Sequence, residues 1–557
     1  MSQAAFLEKH RHTLEAATRA NRERGFWTPY VEAPSRKVYG ETAAEDGEAA
    51  FQALLGKPFA LPGHPASNPP LGKESSPFGL DLGITYPNAS PGALIAAARA
   101  AQPTWAAASP DIRAAVCLEI LERLNRRSFE MGHAVMHTTG QAFIMAFQAG
   151  GPHAQDRGLE AVAMAHEIQS QTPTSALWEK PQGKADPLRL EKSFRIIPRG
   201  LSLVIGCSTF PCWNGYPGLF ASLATGNPVI VKPHPGAILP LALTVQIARE
   251  VLAEAGFDPN LVLLSADEPG AETTKALITD PAVRIIDYTG SGAFGQWVRE
   301  NAATPLVFTE EAGVNPVVIT GTDDFKGLCR NLAFSLALYS GQMCTAPQNI
   351  FLAKDGIPTD QGPKSANEVA EALSVAIDKL LGDPERAAGV CGAIQSPATL
   401  ARIEATAKLG TVVRPSTPIA GMEGARSATP LLVTVDAGDE ATYLSERFGP
   451  IAFIVVCASA EDALERAIRS TALKGAITAL VHATDPALVE RAEDGFAATG
   501  TALSLNLTGG VFVNQSAAFS DYHVSGANPS GNASLTDAAY VASRFRVAMS
   551  RRPAPAA

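Results

Sequence analysis

Short apolar runs alternate with helical ones between residues 201 and 310, and this alternation limits the fold more than any other feature of the chain. The runs 201–205, 229–231, 261–264, 284–288 and 306–308 are largely apolar blocks, the pattern of strands buried on both faces. Helical periodicity fills 216–224, 238–255 and 294–300. Strand–helix–strand units in series predict a parallel, doubly wound sheet. Ligands of such sheets bind beyond the carboxyl ends of the strands. Two polar, glycine-bearing loops stand there: Phe210-Pro211-Cys212-Trp213-Asn214-Gly215-Tyr216-Pro217, and Thr289-Gly290-Ser291-Gly292-Ala293-Phe294-Gly295.

After Glu310 the pattern restarts. Strands are predicted at 316–319, 350–353, 431–435, 451–456 and 479–482, and helices at 325–338, 366–381, 396–407, 460–470 and 486–495. A chain of 557 residues is too long for one simple core, and the break near 310–313 divides two α/β lobes. The predicted organisation is an N-terminal extension (1–85), a first lobe (86–310), a second lobe (311–505), and a return to the first lobe (506–557) with a frayed tail over 551–557. The extension opens with helical periodicity over 6–22 and continues through a loop-rich stretch with Pro58, Pro62, Pro65, Pro69, Pro70 and Pro77. Such a stretch covers a lobe or meets a partner subunit. Ser109-Pro110-Asp111 is a helix start, a cap followed by proline, and 114–134 carries apolar residues at helical spacing.

Charge and composition narrow the class. With 45 basic against 55 acidic residues the net charge is −10, which argues against nucleic acid as the main partner. No apolar run reaches membrane-spanning length, and residues 1–24 are charged throughout, without the apolar core of a secretory signal. Seven scattered cysteines with no CxxC pair fit a reducing compartment. A cytoplasmic protein with no membrane partner is expected.

The stretch Tyr339-Ser340-Gly341-Gln342-Met343-Cys344-Thr345 lies between a helical run and a strand. A thiol there, after a flexible glycine, suits a nucleophile whose backbone N–H can serve an oxyanion. A buried, inert cysteine is the plain alternative. The Thr289–Gly295 loop follows a strand and opens a helix, as a phosphate cradle must, yet it lacks the GxGxxG form and equally suits a simple turn. Lys232, fixed by Pro233, reaches a nucleotide or only solvent. Cys207, Cys212 and His234 match no zinc spacing, so no metal is expected. Ser520, Asp521 and His523 lie too close in sequence for a hydrolase triad, and their loop is expected to line the substrate entrance.

Taken together, these pieces resemble the NAD(P)-dependent aldehyde dehydrogenase superfamily. The resemblance rests on Trp213-Asn214, Val231-Lys232-Pro233, Thr289-Gly290-Ser291 with Gly295, Glu310 with Gly313 and Asn315-Pro316, Gly341-Gln342-Met343-Cys344, and Glu446-Arg447-Phe448-Gly449-Pro450, in the family's order. It implies a Rossmann-type cofactor domain, a second α/β catalytic domain and a small oligomerisation β-flap, placed near 188–197. It further implies Cys344 as nucleophile, Asn214 as oxyanion donor and Glu310 as the base that activates water. Lys232 would touch the adenosine ribose, Thr289, Gly290, Ser291 and Gly295 would form the pyrophosphate loop, Glu446 would hold the nicotinamide ribose, and Phe448 would pack on the nicotinamide.

Departures from the family pattern carry further expectations. Pro235 stands where an acidic residue normally grips the ribose, and His234 beside it would add a positive partner. NADP is therefore expected to be preferred, with NAD as the alternative. Glu311 is a charged neighbour to Glu310 in place of an apolar one. The presence of Glu310 favours hydrolysis over CoA acylation, which resembles this chemistry but does without that base.

Finer stretches resemble the phenylacetic acid degradation (PaaN) branch: 136–143, 147–153, 518–529 and Gly25-Phe26-Trp27-Thr28-Pro29-Tyr30. That branch implies oxidation of 3-oxo-5,6-dehydrosuberyl-CoA semialdehyde, with a separate enoyl-CoA hydratase-type enzyme as pathway partner and a homodimer or homotetramer as the assembly. A non-redox cysteine thioesterase or acyltransferase, and a silent scaffold on the same fold, are the alternatives outside oxidoreduction.

Overall fold

The computed structural model describes residues 3–304, 306–311 and 313–555. Two short strands, β1 (Asn68–Leu71) and β2 (Tyr86–Asn88), pair antiparallel in the extension. A long hairpin follows, β3 (Ser175–Gln182) and β4 (Ala185–Pro198). The first lobe holds β5 (Leu201–Ile205), β6 (Val229–Lys232), β7 (Val262–Leu264), β8 (Val283–Gly290) and β9 (Val307–Glu311). The second lobe holds β10 (Pro316–Ile319), β11 (Asn349–Ala353), β12 (Thr411–Arg414), β13 (Leu431–Asp436), β14 (Ile451–Cys457), β15 (Thr478–His482) and β16 (Ala502–Leu505). The last strand, β17 (Phe545–Pro553), returns to pair with β4.

The first-lobe sheet is parallel, in the order β7-β6-β5-β8-β9. Alternate side chains enter different cores, as a pleated strand requires. Leu201, Leu203 and Ile205 pack with Leu94, Ile95 and Val298 on one face, while Val204, Val229 and Val231 pack with the helix Leu239–Glu254 on the other. Strand order reverses between β5 and β8, the crevice where doubly wound sheets bind ligands. The second sheet runs β12-β13-β14-β11-β10-β15-β16, parallel except for the antiparallel edge β12. Its two faces are covered alike, Val317, Ile350 and Leu352 against the helices Phe325–Ala337 and Ala366–Leu381, and Val318, Phe351 and Phe453 against the opposite layer.

The extension covers the first lobe. Its helix Gln3–Glu23 buries Phe6, Ala17 and Ala20, and Lys9 and His10 meet the buried Glu119 at 2.7 and 2.8 Å. The helical stretch 114–134 is two helices, Pro110–Arg126 and Ser128–Thr139, parted where Arg127 leaves helical geometry (φ −102°, ψ 22°). Ser109 caps the first of them by accepting the Ile112 N–H.

The flap is larger than the stretch 188–197. It is a three-stranded sheet, β17-β4-β3, that spans 175–198 and draws in the C-terminal segment. The tail is thus not frayed from Arg551 onward: Arg551, Arg552 and Pro553 continue the ladder opposite Lys192, Glu191 and Leu190. Ala556 and Ala557 lie outside the described residues, as does Ala312 at the junction between the lobes. A buried ion pair ties this return to the first sheet. Arg544 spans both carboxylate oxygens of Asp287 on β8 at 2.6 and 2.8 Å and also donates to Ser222 at 2.7 Å.

Candidate active site

The helix Phe325–Ala337 ends in a turn of unusual backbone. Tyr339 and Ser340 hold φ of 50° and 49°, and Gly341 follows at 61°. Side-chain residues in this region cost about 1–3 kcal/mol each and persist only where surroundings hold them. Here the Tyr339 hydroxyl donates to the Thr139 carbonyl at 2.5 Å, and Ser340 Oγ donates to the carbonyls of Cys391 and Ala428. Gly341 is obligatory, because a Cβ would lie 2.4 Å from the Gly449 carbonyl oxygen. Beyond it, Asn315 Nδ2 holds the carbonyls of Cys344 and Ala346 at 2.8 and 2.9 Å. Gln342 donates to the Ala393 carbonyl and accepts the Gln395 N–H. The Cys344 backbone is thus pinned by second-lobe loops, and the residue as a whole is half-buried.

Cys344, Glu310 and Asn214 meet in one cluster. The Cys344 sulfur, a Glu310 carboxylate oxygen and a His523 ring nitrogen lie within 4.8 Å of one another. Glu310 Oε2 accepts from Asn214 Nδ2 at 2.7 Å, and Oε1 faces His523 Nε2 at 2.9 Å. An ionised carboxylate only accepts, so both nitrogens carry the hydrogens. Asn214 is oriented from behind, since Cys207 Sγ donates to its Oδ1 at 3.6 Å. Burial alone would raise the Glu310 pKa, but His523, Cys344 and Asn214 outweigh it and hold the group below the usual carboxylate range. Burial, and then the Glu310 charge, push the Cys344 thiol well above its usual range. The resting pair is therefore a neutral thiol beside an ionised carboxylate. Cys207 is pushed up to about 11 by burial and stays a neutral donor.

The remaining predicted residues stand at the mouth of the switch-point crevice or across from it. Ser291 caps the helix Gly292–Asn301 through the Phe294 N–H, directly after Thr289 and Gly290 at the end of β8. Gly295 is buried, and a Cβ there would fall 2.3 Å from a Glu311 carboxylate oxygen. That glycine makes room for Glu311, which pairs with Arg299 and so is turned away from the Glu310 cluster. Lys232 is buried, with Nζ 2.6 Å from Asp267 and 2.6 Å from the Pro233 carbonyl. His234 does not supply a positive charge. Its Nδ1 accepts the Gly236 N–H, and desolvation within the loop, then the Lys232 charge, push its pKa down to about 4. Glu446 and Phe448 share a second-lobe loop in which Arg402 donates to the Phe448 carbonyl at 2.6 Å. Desolvation and nearby Glu311 raise the Glu446 pKa to about 7 against the pull of Arg402.

A model of the aldehyde dehydrogenase family matches residues 88–543, most of the chain. The chain belongs to the aldehyde dehydrogenase family. An NAD-dependent aldehyde dehydrogenase from Burkholderia multivorans shares 54% identity over 99% of this chain and 100% of its own, with a TM-score of 0.98. A vanillin dehydrogenase of Pseudomonas fluorescens is 27% identical over 72% of this chain and 80% of its own. An NAD-dependent benzaldehyde dehydrogenase of Pseudomonas putida is 25% identical over 67% of this chain and 72% of its own.

As a member of this family the protein is an NAD(P)-dependent oxidoreductase acting on aldehydes. The donors present fit a dinucleotide: a strand–Thr289–Gly290–Ser291–helix turn at a topological switch point, with Lys232 and Asp267 past the ends of the neighbouring strands β6 and β7. In the sequence, two members of the cluster, His523 and Cys207, stand only as candidates for a hydrolase triad or entrance loop and for a zinc site; the fold places them instead on Glu310 and Asn214. Cys212 lies apart from Cys207's role, buried with Sγ 3.7 Å from Met131 Sδ. Phe519 is buried against Trp27, packing rather than lining a cavity. Among the described residues, no helix is long and apolar enough to cross a membrane.

Proposed function

We propose that Cys344 is the nucleophile, Asn214 the oxyanion donor and Glu310 the general base of a hydrolytic aldehyde dehydrogenase. The convergence of the Cys344 sulfur on the Glu310 carboxylate, within 4.8 Å, with Asn214 bound to that same carboxylate at 2.7 Å, carries this reading. Glu310 takes the thiol proton as sulfur bonds to the aldehyde carbon, and the second N–H of Asn214 Nδ2, with the Cys344 backbone N–H, faces the developing oxyanion. When bound, the nicotinamide accepts hydride from that carbon, which leaves a thioester on Cys344. Glu310 gives the thiol proton up to solvent and, again a carboxylate, takes a proton from water as the water oxygen attacks the thioester; the C–S bond breaks and that second proton passes to sulfur. The placement of Glu310 supports this outcome over CoA acylation or a non-redox thioesterase.

For the substrate we propose the ring-opened semialdehyde 3-oxo-5,6-dehydrosuberyl-CoA semialdehyde of aerobic phenylacetate breakdown, supplied by a separate enoyl-CoA hydratase-type enzyme. The likeness of 518–529 to the phenylacetic acid degradation branch supports this, and in the structure that segment delivers His523 to Glu310. Purified protein should oxidise the CoA semialdehyde, generated in situ by such a hydratase, with a higher kcat/KM than propanal; a preference for propanal would overturn the assignment.

The coenzyme reading changes with the structure. Asp267 neutralises Lys232 and His234 is neutral, so no net positive partner awaits a 2′-phosphate, and NAD is the coenzyme this geometry favours over NADP. A homodimer or homotetramer is proposed from the flap, whose Leu177, Leu188, Val547 and Met549 are exposed. Exposed apolar strand edges of this kind seek a partner sheet. The cytoplasm is the proposed location.

A further inference from the structure

Segment 517–524 reaches the site under strain. Phe519 and Val524 hold φ of 63° and 59°, and for a β-branched residue such as Val524 this conformation is a marked outlier. Between them, His523 is 2% exposed, with its ring edge-on to Trp213 at 4.6 Å between centroids and its N–H donated to the Thr536 hydroxyl at 3.1 Å. Contacts from two other elements hold the segment. From the extension, Trp27 meets Phe519 edge to face at 5.1 Å, and the Arg24 guanidinium lies 4.0 Å over the Tyr522 ring. From the helix Pro152–Ser170, Glu160 accepts the Phe519 N–H at 3.1 Å and Arg157 donates to the Asp521 carbonyl at 3.3 Å.

We propose that His523 is a positioning residue for the general base, and that the N-terminal extension serves turnover by clamping the loop that presents it. The proposal rests on the reading of Cys344 and Glu310 given above. A carboxylate has two oxygens, and the two bonds fix its rotation beside the thiol: Nε2 holds Oε1 and Asn214 holds Oε2. Without that anchor Oε1 is a buried acceptor with no partner, which favours proton uptake and loosens the rotamer that must meet water. The titratable and charged groups facing the pair are Cys344 and Cys207, Tyr540 from the C-terminal helix, and Arg157 over Trp213. Burial pushes both thiols and the phenol upward, so the acid side of the rate profile belongs to Glu310.

The test is stopped-flow formation of reduced nicotinamide from NAD and propanal, followed over a pH series for wild type, His523→Ala, His523→Gln and Trp27→Ala, with Cys344→Ala as control. His523→Ala should lose turnover by about tenfold or more and slow the burst as well, because Glu310 serves both proton transfers, and the acid limb of both should move to higher pH. His523→Gln, whose amide donates to the same oxygen, should recover most of the turnover. Trp27→Ala should shift in the same direction by less. Unchanged turnover and an unchanged pH profile in His523→Ala would overturn the proposal. So would a parallel loss of burst, turnover and melting temperature with the profile unmoved, which marks a merely structural residue. If wild type itself shows no Cys344-dependent reduction, the underlying reading fails and the proposal falls with it.

Discussion

The proposed mechanism gives Asn214 two jobs, and removing its amide should separate them. It is 8% exposed, oriented by Cys207 at 3.6 Å, and bound to Glu310 Oε2 at 2.7 Å. Its second N–H is the side-chain donor available to an oxyanion on the Cys344 adduct. Loss of one preorganised oxyanion donor costs about 3–4 kcal/mol of transition-state stabilisation, or roughly a hundred- to a thousandfold in rate. Asn214→Ala should slow the burst of reduced nicotinamide by that factor, since the oxyanion forms before hydride leaves. The bond to Glu310 gives the second effect. A hydrogen bond to a charged group contributes about 1.5–3 kcal/mol, so its loss raises the carboxyl's proton affinity and moves the acid limb of turnover upward. His523 remains bound to Oε1, which limits that shift. Stopped-flow bursts with NAD and propanal across pH, beside thermal melts that show the fold intact, read both effects. A wild-type burst rate in a folded Asn214→Ala protein would refute the oxyanion assignment, and a slowed burst with an unmoved acid limb would refute the Glu310 coupling.

Three further outcomes follow from other residues. Arg544→Ala leaves Asp287 without its bidentate partner in the core, and chemical denaturation should show a loss of about 3–5 kcal/mol; a near-neutral result would contradict the packing of the C-terminal return. His482 is fully buried with both ring nitrogens unpaired among the described residues, and burial pushes its pKa from 6.5 to about 4. The unfolded chain then takes a proton that the folded chain refuses. Stability is complete above pH 6.5 and falls as pH drops towards about 4, by at most about 3 kcal/mol. His482→Leu should flatten that acid decline in unfolding midpoints, and an equally steep decline would contradict the account. Asp267→Asn frees the Lys232 charge, so NADP binding measured by titration calorimetry should tighten relative to NAD by about tenfold or more; an unchanged ratio would remove Asp267 from coenzyme choice.

What the sequence revealed depended on burial. Strands β5, β6, β10 and β14 are covered on both faces, so their apolar runs are continuous and their limits nearly match the pattern. β3 and most of β4 are exposed and mixed in composition, and the same is true of β17, where Arg551-Arg552-Pro553 looks like a loose end. Their pairing with each other, not their composition, makes them strands. Cys344, Glu310 and Asn214 were legible because their neighbours form ordered motifs. The role of His523 was not, since it lies 213 residues from Glu310 and its own stretch, Ser520-Asp521-Tyr522-His523, suggests a triad or an entrance loop and not a partner for that carboxylate. The charge of His234 was hidden for a similar reason: sequence shows the imidazole, but only the fold shows its burial beside Lys232.

The most direct test of the whole account is aldehyde-dependent reduction of NAD by wild type and by Cys344→Ala, with coenzyme binding measured on both. The account predicts reduction by wild type alone, with coenzyme bound equally by the two. Reduction that survives in Cys344→Ala would contradict it, as would a wild type that binds coenzyme yet reduces it with no aldehyde.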